Sequence, residues 1–175
     1  MGFKISWIGF NGIDREEVLR RLSFADTGQS VDYPEDGFAL CELPNGWLIV
    51  VSQDFDYADE PRLAKVSSGA TVIGCQIHEG VMYSGAALYN DRHKVWSITH
   101  FSDDGPLDLK VAGAPPDEIR QISAKLMAEQ VERGAATRTD FLFDAPIQAA
   151  RLVTGYQHDQ WKFEVLERYA VLRAR

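Results

Sequence analysis

Residues 70–101 read ATVIGCQIHEGVMYSGAALYNDRHKVWSITHF, and the rest of the chain is organised around them. Three runs, 71–79, 81–89 and 93–101, are rich in β-branched, aromatic and small residues. Gly80 parts the first two, and Asn90, Asp91 and Arg92 part the last two. Small residues and Asx side chains are the punctuation that reverses a chain, so the stretch reads as three antiparallel strands. Turns centred on Gly80 and Asp91 place Gly74 beside Ala86 and Ala86 beside Trp96. By the same count His78 lies beside Met82, and Met82 beside His100. Side chains alternate faces along a strand, so each row occupies one face. The first row gives a large indole room above two small neighbours. The opposite face carries Ile73, Cys75, Ile77, Tyr83, Tyr89, Val95 and Phe101, an apolar set expected to meet the main core. A slip of one residue in either turn would change every partner.

The chain has 175 residues, 45% of them hydrophobic and 25% charged, enough to bury a core as a single domain over residues 1–175. No repeat, low-complexity tract or long linker divides it. The formal net charge is -8. Nucleic acids and anionic membranes are recognised by clustered Lys and Arg, so this balance argues against both and permits a basic protein partner. Cys41 and Cys75 sit among apolar residues and read as buried free thiols of a reducing cytoplasm, not as a disulfide framework. The first ten residues alternate apolar and polar and lack a secretory signal. No apolar run approaches the ~20 residues of a membrane helix, so the expected location is cytoplasmic.

Around the central stretch, residues 3–10 alternate as a strand, with Phe3, Ile5 and Trp7 on one face and Ile8 and Phe10 on the other. Asp14 with Glu17 has the spacing of a capping box and opens a short helix. Residues 26–36 read as a polar loop. Residues 38–43 and 47–52 form a hairpin about Pro44-Asn45-Gly46, the clearest turn in the chain. Its second strand is apolar throughout and is expected to be buried on both faces. A strand is expected over 107–111, and a long helix from Pro115 to its cap at Gly134. A short helix is expected over about 61–67, and another runs from Asp144 through Thr154, ended by Gly155. Residues 161–169 alternate as a strand, with a helix as the alternative. Together these elements define an α+β domain: a twisted, mainly antiparallel sheet of six to eight strands with helices packed on one face.

No phosphate-binding loop, dinucleotide fingerprint, nucleophile elbow, Cys-x-x-Cys or His-Glu-x-x-His occurs, and no cofactor or metal is expected. Four constellations remain. His78 and His100, about 10 Å apart across three strands, would converge on a metal only with a third ligand; the plainer reading is two edge histidines bonded to water or loops. Glu79 with Asp103 or Asp104 would make a carboxylate pair at one sheet end. His158 beside Asp159 would be an oriented acid–base histidine, or a satisfied turn. Asp54, Asp56, Asp59 and Glu60 compensate the N-terminus of a short helix in a solvated loop, or form a divalent cation site, for which Asp54, Asp56 and Asp59 lack the Gly and terminal Glu of a calcium loop.

The stretches Ser67-Ser68-Gly69-Ala70 through Trp96-Ser97-Ile98-Thr99-His100, and Phe143-Asp144-Ala145-Pro146 through Gly155-Tyr156-Gln157-His158-Asp159, resemble small uncharacterised bacterial cytoplasmic proteins, some regarded as immunity-like partners of secreted toxins. The resemblance carries no catalytic residue. It implies a binding protein, and the acidic balance points the same way. The expected function is therefore a non-enzymatic interaction protein that engages a basic partner through Asp54, Asp56, Asp59 and Glu60. The alternative is a small hydrolase or metal-binding enzyme using His78, Glu79, His100, Asp103 and Asp104.

Overall fold

The apolar residues of the chain point both ways from a single sheet. A computed structural model describes residues 2–134, 138–160 and 168–175. Its strands are β1 (Lys4–Asn11), β2 (Phe24–Val31), β3 (Phe38–Glu42), β4 (Leu48–Ser52), β5 (Thr71–His78), β6 (Tyr83–Asn90), β7 (His93–Phe101), β8 (Lys110–Gly113) and β9 (Tyr169–Ala174). Its helices are α1 (Arg15–Leu22), α2 (Glu60–Val66), α3 (Asp117–Arg133) and α4 (Asp144–Thr154). The strands form one antiparallel sheet in the order β2-β9-β3-β4-β1-β5-β6-β7-β8. The α+β class and the antiparallel sheet are those expected. The segment 161–167, read above as a strand or a helix, lies outside the described residues.

The helices cover both faces, not one. On one face Val18, Leu19 and Leu22 of α1 and Leu63 and Val66 of α2 pack on Ile8, Phe10, Leu40, Val50 and Val72. On the other, Ile119 of α3 and Ile147, Ala149 and Ala150 of α4 pack on Ile5, Trp7, Ile49, Cys75, Trp96 and Ile98. The reason lies in the central strands. All five residues of β4 are buried, and a strand apolar on both faces needs cover on both. Among the described residues no helix is long and apolar enough to cross a membrane.

The register of the central strands corrects the count about Gly80. Glu79–Val81 form a 3-10 turn, and Met82 closes it in the left-handed region at φ 49°. The reversal therefore spans four residues, and His78 pairs with Tyr83. Gly74 lies beside Ala87, and Cys75 beside Ala86. That slip of one residue turns β6 over relative to β5. Asp91 and Arg92 make the next turn with φ of 43° and 70°, as a two-residue hairpin loop requires. An irregularity follows between Leu88 and Tyr89, which sets Trp96 beside Leu88. Trp96 thus shares the α3 and α4 face with Ile73 and Cys75 and does not lie over Gly74. What covers Gly74 is α2: a Cβ there would sit 2.6 Å from Leu63 Cδ1.

Two edge elements were not read in the sequence as they fold. Residues 24–31, overlapping the first half of the polar loop expected over 26–36, form β2, which pairs with β9 at its two ends and is irregular between Asp26 and Ser30. The last strand, residues 169–174, pairs with both β2 and β3.

A candidate binding surface at one end of the sheet

Antiparallel pairing brings distant loops to a common end. Lys4 pairs with His78, Ser6 with Ser52, and Ser52 with Phe38. On the flanks Val31 pairs with Tyr169, Tyr83 with Phe101, and Thr99 with Lys110. The β2–β3 loop, the segment after β4, the β5–β6 turn and the β7–β8 loop therefore emerge together. They carry Asp32, Glu35, Asp36, Asp54, Asp56, Glu79, Asp103, Asp104 and Asp108. Asp140 and Asp144 join them, because α4 begins at this end, where Asp140 meets His100. Asp159 follows His158, whose ring packs on Phe3 at 4.7 Å.

Local structure explains much of this acidity. Asp54 caps the 3-10 turn Phe55–Ala58, accepting from Asp56 N at 3.0 Å. Asp59 caps α2, accepting from Arg62 N at 2.8 Å. A carboxylate at a helix start satisfies an orphan N–H and opposes the dipole. Glu60 faces along the sheet, not out of its end: it pairs with Lys94 at 3.0 Å and accepts from the Tyr89 hydroxyl at 3.2 Å. Of the four acids read as one surface, Asp54 and Asp56 are exposed at the end, Asp59 is half-buried and Glu60 is turned away. The β2–β3 loop, with Asp32, Glu35 and Asp36, was read only as polar. The run of three acids around Pro34 was the signal available for it.

The catalytic candidates are dispersed. His78 lies on the α2 face against Phe55, with ring centroids 5.5 Å apart. His100 pairs with Ser84 on the α3 and α4 face. The one-residue slip in the β5–β6 turn puts the two histidines on opposite faces, so they do not converge. Among the described residues no group of three His, Cys, Asp or Glu is placed to hold a metal. Glu79 accepts from Phe3 N at 2.9 Å and ties down the start of β1. Asp104 is ion-paired with Lys110, and Asp103 stands exposed beside it. Asp159 accepts from Gln157, not from His158.

His100 has the most constrained environment. It is fully buried, with Nδ1 on the Asp108 carbonyl oxygen and Nε2 2.8 Å from Asp140 Oδ2. A carbonyl only accepts, so Nδ1 carries a hydrogen. Asp140 Oδ1 also accepts from Phe143 N, and Ser84 Oγ donates to Phe143 O at 2.7 Å. These bonds tie the start of α4 to the sheet. They engage both ring nitrogens of His100 within the fold.

The remaining shifted groups at this end and in the core are moved chiefly by burial. Desolvation, and then Asp159 and Asp140, raise the Asp144 carboxyl, although the residue stays open to water. His158 is 3% exposed, and neither ring nitrogen has a hydrogen-bond partner among the described residues. Burial lowers its pKa, while Asp159 and Glu79 pull the other way. Burial holds the Cys41 thiol up at about 12 and raises Cys75 further, so neither thiol is a nucleophile at neutral pH.

No protein-family model, curated protein or solved structure matches this chain. Its function is therefore argued from the fold and the acidic end alone.

Proposed function

We propose that the protein is a non-enzymatic, immunity-like interaction protein that binds a basic protein partner at the acidic end of its sheet. One observation carries the reading: loops far apart in sequence bring their carboxylates to one end, beyond what their own caps and ion pairs use. A concentration of like charge raises the electrostatic energy of the fold and steers an oppositely charged partner. Two of the acids first expected to bind, Asp54 and Asp56, belong to this end, and the β2–β3 loop extends it. Asp59 and Glu60 act mainly within the fold.

Capture of a partner from the native host, followed by association kinetics at low and high salt, tests the reading. The on-rate should fall steeply as salt shortens the Debye length to about 8 Å. Replacing Asp32, Glu35, Asp36, Asp54 and Asp56 by their amides should slow association and leave the melting temperature near that of the parent. An acidic partner, or an on-rate unmoved by these substitutions, would overturn it.

A further inference from the structure

The acidic end contains a groove. It lies between the β2–β3 loop and β9, encloses about 620 Å³, and has Val31 and Val171 as an apolar floor above the buried Ala39. Val31 and Val171 are partly exposed, on the edge strand β2 and on its neighbour β9. Asp32, Glu35 and Asp36 form the rim. A cleft of this volume falls within the range of about 300–1,000 Å³ that admits side chains and small ligands. The groove is preformed. Gln53 Nε2 donates to Pro34 O at 2.8 Å and pins the loop. Phe38 is wedged against Phe24 and Tyr57, with centroids 4.6 and 4.7 Å away. A wall that is already ordered spares a ligand part of the ordering cost.

The rim has one described counter-cation, Arg168, which pairs with Asp32 at 2.9 Å. Both side chains are exposed, 61% for Arg168 and 92% for Asp32, and an ion pair open to water contributes little. A partner's guanidinium can exchange with it at small cost.

Resting on the reading of the acidic end as a site for a basic partner, we propose that this groove is its anchor point. It takes one large apolar side chain, flanked by Arg or Lys, from the partner. The floor supplies the apolar contact and the three rim carboxylates meet the flanking cations. A second copy of this chain is disfavoured as occupant, because the formal net charge of -8 makes two copies repel.

The probe is a fluorescein-labelled synthetic peptide with a central Trp between Arg and Lys residues, titrated into the full chain by anisotropy and followed by amide NMR shifts. Saturable binding should move the amides of residues 31–39 and 169–172. The D32N/E35Q/D36N variant should weaken it by about tenfold or more, and D54N/D56N by no more than about twofold. Replacing the peptide Trp by Gly should weaken it comparably to the rim variant. Val171→Asp should abolish it; if that variant fails to fold, the rim variant decides. Binding that shifts only the other acidic loops overturns the groove and leaves the broader reading standing. Absence of binding, or equal binding of an acidic Trp peptide, overturns both. A dimer in sedimentation that the peptide dissociates assigns the groove to self-association and overturns the proposal.

Discussion

The two ends of the sheet treat their carboxylates in opposite ways. At the end that holds α1, Glu17 and Asp26 are matched within the chain. Glu17 is bound by Arg20 and Arg21, each at 2.7 Å, and these partners hold its carboxyl down at about 2. Asp26 is lowered first by the Gly28 N–H and then by Arg15. At the other end Asp144 is raised first by desolvation, and the carboxylates of Asp159 and Asp140 add to it. At the second end Lys110 pairs Asp104 and Asp108, and Arg168 pairs Asp32, while Glu35, Asp36, Asp56 and Asp103 have no ion pair among the described residues. That asymmetry separates a surface completed by the fold from one that a cationic partner would complete.

The largest test of the contrast concerns the buried exception at the acidic end. His100→Ala leaves Asp140 without its ring partner beneath the start of α4. Breaking a buried pair costs about 3–5 kcal/mol, and urea denaturation should show a loss of that order. A parental midpoint would mean that this carboxylate, too, is free to face a partner.

A smaller effect is expected with pH. The His158 ring is neutral in its buried setting, and its pKa is lowered by that burial. A group with a lowered folded pKa on the basic side contributes its full stability above the unfolded value of about 6.5 and loses it as the pH falls below that value. The melting temperature should therefore decline from pH 7 to pH 5, and His158→Phe, which still packs on Phe3, should flatten the decline. An unchanged slope in that variant would remove His158 as its source.

The smallest effect sharpens the comparison directly. Asp144→Asn should stabilise the protein near neutral pH, by no more than a few tenths of a kcal/mol because the site is open to water. The gain should vanish once acid protonates the parent carboxyl. Glu17→Gln should act in the opposite direction and lose stability at neutral pH. Paired thermal melts at pH 7 and pH 4 check both signs. The same sign in the two variants would erase the distinction between the ends.

Much of the fold was legible because its signals are short-range. Asn45-Gly46 reverses the chain where a two-stranded unit was expected, with Leu43 N donating to Trp47 O at 2.8 Å across it. Asp14 accepts from Glu17 N at 2.8 Å, as the capping spacing implied. The apolar run of β4 indicated burial on both faces, and it is this strand that demands helices on both sides. The acidic end was legible only in part. The run of acids after β4 was visible, but Asp59 is consumed in capping α2 and Glu60 in pairing with Lys94, and the decisive β2–β3 loop looked like any polar connection.

By itself the sequence determined the class, the central strands, the helix starts and the buried thiols, since propensity, alternation and capping act over a few residues. Tertiary structure decided register and company. Met82 in the left-handed region lengthens one turn by one residue, and that alone sends His78 and His100 to opposite faces and Trp96 away from Gly74. The polar stretch of β2 becomes a strand because β9, more than a hundred residues later, offers its backbone groups as partners. A hydrogen-bond ladder is satisfied by whichever strand the whole fold brings alongside, and no local pattern encodes that neighbour.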